Sequence, residues 1–127
     1  MWFDPRLLEL AESLKAAGRS TSFRPGARLA RGFADVGFEE FVILPNLKMM
    51  SLFTGAQTEV VADHQNFFFE IPSLDDVLRE LEERGEPVVE VEFKGGREWL
   101  LRTPHLSGKA GDLHYAGIEC LLASYKV

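Results

Sequence analysis

Residues 66–103 read NFFFEIPSLDDVLRELEERGEPVVEVEFKGGREWLLRT, and their punctuation decides the fold class. Phe67, Phe68, Phe69 and Ile71 form a short apolar run stopped by Pro72, the pattern of a strand buried on both faces. Ser73 stands three residues before Asp76, a capping box with Asp in the place of Glu or Gln. Leu74, Val77, Leu78 and Leu81 then recur at helical spacing and make one apolar stripe. Asp75/Arg79 and Glu80/Arg84 are expected as i,i+4 ion pairs on the other side. Gly85 suits the left-handed position that ends a helix, and Pro87 blocks its continuation.

The next segment alternates. Val89, Val91 and Phe93 share one face, Glu90, Glu92 and Lys94 the other, and Trp99 and Leu101 continue the pattern after a glycine turn. Parity excludes a two-residue Gly95-Gly96 loop, which would put apolar and charged side chains on one face. Two three-residue loops remain. Lys94-Gly95-Gly96 sets Val91 against Trp99. Gly95-Gly96-Arg97 sets Phe93 against Trp99 and Glu90 against Arg102. The first is expected, because glycine accepts a left-handed backbone more readily than arginine. In either case the leucines of helix 73–84 are expected to roof the Val/Phe/Trp/Leu face.

Outward from this stretch the chain is less explicit. Asp4-Pro5 starts a helix over residues 5–17, with Leu7, Leu10, Ala11 and Leu14 as its stripe, Phe3 stapled to Leu8, and Gly18 as its end. Arg24-Pro25-Gly26 is a turn; residues 27–36 fit a short helix or an irregular strand. FVILP at 41–45 is a strand, LKMMSLF at 47–53 its hairpin partner, and TEVVAD at 58–63 a further strand. Residues 104–117 carry three glycines without a period and read as a long loop. IECLLASYKV at 118–127 reads as a final strand central to the sheet. Segregated strand runs with two principal amphipathic helices, about 5–17 and 73–84, give an α+β fold with a mainly antiparallel sheet.

The chain has 127 residues, 46% apolar and 27% charged. That is one domain's worth of ordinary globular composition, residues 1–127. No apolar run is long enough to cross a membrane. The amino terminus lacks a basic segment and a cleavage site, so no secretory signal is expected. One cysteine, Cys120, fits a reducing, cytoplasmic setting and a buried structural role. The net charge of −6 disfavours nucleic acid. Charge is uneven: residues 15–31 hold Lys15, Arg19, Arg24, Arg28 and Arg31 without an acid. These arginines are either a solvated surface or a site for an anionic partner. His105 and His114 in the 104–117 segment complete the candidate ligand- or partner-binding residues.

FFFEIPSLDD, LEERGEPVVE and GGREWLLRTP together resemble the second module of the glyoxalase/bleomycin-resistance (vicinal oxygen chelate) family. The resemblance covers about a third of the chain. It implies a strand, helix and three strands, and a divalent metal held by inward His and Glu side chains. His64 and Glu119 lie near those positions, with His105 or His114 needed to complete a ligand set. Taken alone, the residues show no catalytic constellation, and no cofactor is expected from them. They point to a small binding domain, not an enzyme, working through a protein partner or small ligand, with a homodimer among the possibilities. The resemblance implies the alternative, a metal-dependent enzyme or ligand-sequestering resistance protein.

Overall fold

A computed structural model describes residues 5–33, 37–60, 65 and 67–126. Phe3, Asp4 and His64 lie outside the described residues, as do residues 61–63 of the expected strand over 58–63. Backbone contacts divide the chain into two compact units. The first comprises residues 1–15 and 20–71, the second residues 16–19 and 72–127.

The first unit contains α1 (Pro5–Ala16) and a five-stranded antiparallel sheet in the order β4-β3-β2-β1-β5. Its strands are β1 (Arg28–Phe33), β2 (Gly37–Ile43), β3 (Met49–Ser51), β4 (Gln57–Thr58) and β5 (Phe69–Ile71). α1 buries Leu7, Leu8, Leu10, Ala11 and Leu14, the expected stripe plus Leu8. The Arg24-Pro25-Gly26 turn is closed by Ala27 N–H on Arg24 O at 3.0 Å, with Gly26 at φ +85°. Of the stretch 27–36, read as a short helix or an irregular strand, residues 28–33 form β1 and 34–36 lie outside the described residues. β2 and β5 hold β1 on both sides, so sheet pairing overrides the helix propensity of its Leu, Ala and Arg. β2 and β3 form the expected hairpin. One face of the sheet carries a core of Ala27, Leu29, Phe41, Ile43, Met49 and Phe68, with Phe23 and Val60 packed against it.

The second unit contains α2 (Leu74–Glu83), an antiparallel meander of β6 (Glu90–Phe93), β7 (Trp99–Arg102) and β8 (Ser107–Ala110), and α3 (Leu113–Tyr125). α2 follows its sequence closely. Ser73 Oγ accepts from Asp76 N–H at 3.1 Å, and Asp76 Oδ2 accepts from Ser73 N–H at 3.2 Å. At the other end Gly85 has φ +80°. Gly85 N–H reaches Glu82 O, and Glu86 N–H reaches Leu81 O at 2.8 Å. Those two bonds make a Schellman motif. The ion pairs differ from expectation. Arg79 pairs with Asp76 and Glu83, and Glu80 pairs with Arg19.

Three further expectations are corrected. The hairpin takes the Gly95-Gly96-Arg97 loop, pairing Phe93 with Trp99 and Glu90 with Arg102. Arg97 therefore carries φ +62°, a cost of about 1–2 kcal/mol. The Phe93–Trp99 ring contact at 4.9 Å and the Glu90–Arg102 ion pair offset it; cross-strand pairs contribute about 0.2–1 kcal/mol each. Nor is the valine face roofed along its length: every residue of β6 is exposed, while Leu101 on β7 is buried. Finally, residues 104–117 are not a long loop, and 118–126, the described part of the expected final strand, are not a strand. They form β8 and α3, with Asp112 Oδ1 capping α3 through His114 N–H at 2.8 Å and Tyr115 N–H at 3.3 Å. α3 buries Ala116, Gly117, Ile118, Cys120, Leu121, Leu122 and Ser124, which spread over most of its circumference, and its other residues are half-buried. A helix buried all round has no amphipathic period to betray it.

Candidate functional site

Within the first unit, Arg28 and Arg31 do not share a surface. Each of the four arginines faces a carboxylate that the fold has shielded. Arg19 grips Glu80 through Nε at 3.0 Å and Nη2 at 2.8 Å. Arg24 lies 3.3 Å from Glu70, whose other oxygen accepts from Ser22 N–H. Arg28 pairs with Glu40 at 2.5 Å and Arg31 with Glu39 at 3.0 Å. Arg28 and Arg31 are three residues apart on β1, so they project from opposite faces of the sheet. The first unit's arginines therefore neutralise the buried Glu40 and Glu70 and the half-buried Glu39, and Arg31 also lies over the rings of Phe41 and Phe68 at 5.3 and 5.6 Å.

The two histidines are also separated. His105, in the β7–β8 turn, approaches Glu86 at 2.9 Å, just beyond the carboxyl end of α2. His114, in the first turn of α3, approaches Pro72 O at 2.6 Å, just before the amino end of α2. A ten-residue helix is about 15 Å long, which is too far apart for one ligand sphere. Glu119 stands on α3 and not on a strand. Among the described residues, no three His, Cys, Asp or Glu side chains come together as a metal-binding group. Cys120 is fully buried, and burial pushes its thiol up to about 11 despite a hydrogen bond from Thr103. That is the opposite of an activated nucleophile.

Two hollows remain. In the second unit, Arg84, Glu86, Leu106 and Ser124 line one of about 370 Å³. Arg84 is fixed there by Ser124 and by the Tyr125 ring beneath its guanidinium. In the first unit, a cleft of about 310 Å³ opens on the sheet face that bears Arg31, Glu39, Ser51 and Thr58. Its charged pair is already satisfied, with Glu39 accepting from both Arg31 and Ser51.

A further candidate surface is a sheet edge. Among the described residues four strands end a sheet; of these, β4 has two residues and β5 is buried throughout. β8 presents Ser107 and Lys109, and a charged side chain such as Lys109 discourages edge pairing. β6 is exposed at all four positions, as the two polar residues of β4 are, but it carries apolar side chains there, Val91 at 46% and Phe93 at 53% exposure. Lys94 N–H donates to Glu98 O at 2.8 Å. Hydrogen-bonded pairs alternate along an antiparallel ladder, so Glu92 and Glu90 also turn their main-chain groups to β7. Val91 and Phe93 turn theirs outward. Apolar side chains and open main-chain donors and acceptors thus coincide on one edge. No protein-family model, curated protein or solved structure matches this chain.

The sequence pointed to the arginines and histidines because they are the residue types that carry chemistry. The β6 edge escaped that search. Its alternation was visible, but exposure depends on how far the helices extend across the sheet, which no spacing reports.

Proposed function

We infer that this chain is a non-catalytic association domain that binds another polypeptide by strand addition at β6. The observation that carries the reading is the exposure of Val91 and Phe93 on a terminal strand whose outward N–H and C=O groups are theirs. An added strand gains its affinity from main-chain hydrogen bonds and its selectivity from alternate side chains. Here the alternate positions are Val91 and Phe93 with Trp99 behind them on one face, and Glu90 and Glu92 on the other. The edge is short, which favours a small and reversible interface.

The test uses Val91→Pro beside Val91→Thr. Proline removes the outward N–H without touching the β6–β7 ladder, where Val91 does not donate, so the fold is retained. Threonine keeps the N–H. A binding partner captured from cells by the wild-type and Val91→Thr proteins should be lost with Val91→Pro. Amide exchange at Val91 and Phe93 should be fast in the free domain and slowed in the complex. Equal capture by all three proteins would refute strand addition at this edge.

A further inference from the structure

We propose that the strand that completes this edge is β6 of a second copy of the same chain, running antiparallel about a two-fold axis at Glu92. The proposal rests on the strand-addition reading and names its occupant.

Residues 90–94 read Glu-Val-Glu-Phe-Lys, and this order nearly complements itself. Only registers that place Val91 and Phe93 in hydrogen-bonded pairs use the open main-chain groups. Three such registers are available to identical antiparallel strands. With Val91 facing its own mate, Glu90 falls opposite Glu92 on both sides of the axis, and like charges repel. With Phe93 facing its own mate, Glu92 meets Lys94, but the strands run into the Gly95-Gly96-Arg97 turns and Val91 loses its partner. The third register puts Glu92 on the axis. Val91 and Phe93 of each copy then exchange N–H and C=O with Phe93 and Val91 of the other. Their side chains meet on the face that carries Trp99. On the opposite face Glu90 of each copy meets Lys94 of the other, beside the Arg102 that Glu90 already binds. The one unfavourable contact is Glu92 against its mate, which holds the association to a weak, reversible dimer. The two three-stranded sheets become one sheet of six.

The charge pattern supplies the experiment. Sedimentation velocity from micromolar to millimolar protein should show a reversible monomer–dimer equilibrium for the wild type. Lys94→Glu and Glu90→Lys each turn two attractive cross-strand pairs into repulsive ones, so each variant alone should dimerise at least about ten-fold more weakly. Mixed in equal amounts, they restore both pairs and should form a heterodimer. Glu92→Thr removes the clash on the axis and should strengthen the wild-type dimer several-fold. Lys94→Glu leaves the Glu90–Arg102 pair intact, so it stays informative even if Glu90→Lys disturbs the hairpin. A wild-type chain that remains monomeric at every concentration overturns the proposal, and so does a Glu90→Lys protein that dimerises as the wild type does. Monomeric wild type together with Val91→Pro-sensitive capture of a different protein would leave strand addition standing and remove only the second copy as its occupant.

Discussion

Cys120 shows how burial sets chemistry at the scale of one residue. The thiol sits on α3 with no exposed surface. Removal from water raises it from an ordinary 9.0 to about 11, and the nearby Glu86 carboxylate pushes the same way. The sign of the linkage follows. The folded state holds the proton more tightly than the unfolded chain. The contribution is therefore fully present below pH 9 and is lost as pH rises toward 11. Two pH units of difference correspond to about 2–3 kcal/mol. Denaturant titrations between pH 8 and 11 should show that loss in the wild type and a shallower slope in Cys120→Ala, compared at each pH. The thiol should also resist alkylation at pH 8 until the chain is unfolded. Arg19 makes the same point for a charge. It is the outlying member of the arginine series in the sequence, yet the fold buries it against Glu80 with two-pronged geometry, where it serves structure.

Among the elements, the contact of β8 with α3 is the most exacting. A Cβ on Gly108 would overlap Ala116 O and fall 2.8 Å from Cys120 N. Both are helix backbone, so neither can swing aside. Gly117 serves a different contact of α3, that with α2, where a Cβ would lie 3.1 Å from Val77 Cγ1. Gly108→Ala should therefore cost about 3 kcal/mol or more, as overpacking against backbone does. Hydrogen exchange should report it as lost protection in β7, β8 and α3. Gly85→Ala acts differently, through backbone strain of about 1 kcal/mol at the end of α2, with no change in packing. A Gly108→Ala protein as stable as the wild type would mean that β8 and α3 are not in this contact.

On the scale of the whole molecule, charge limits what the chain can bind. The net charge is −6, and each arginine of residues 19–31 faces a carboxylate of the same fold. Basic side chains held this way would have to leave their carboxylates before they could neutralise phosphates and release the cations condensed on a nucleic acid. Duplex DNA should show no retardation by the protein even at low salt; a salt-sensitive complex would show that these pairs open. No helix among the described residues is long and apolar enough to cross a membrane. Each of the two units carries its own antiparallel sheet.

The sequence by itself determined the α+β class, both amphipathic helices, the capping box of Ser73 and Asp76, the stop at Gly85, and the hairpins at 41–53 and 88–102. All of these rest on contacts between near neighbours in the chain, where spacing and backbone preference act directly. Tertiary structure decided the rest. It made a helix of residues 113–125, because a segment buried on every side shows no period. It fixed the Arg97 turn, because cross-strand partners outweighed a local backbone preference. It matched each arginine to its acid and left β6 uncovered, because burial is set by what the rest of the chain brings alongside.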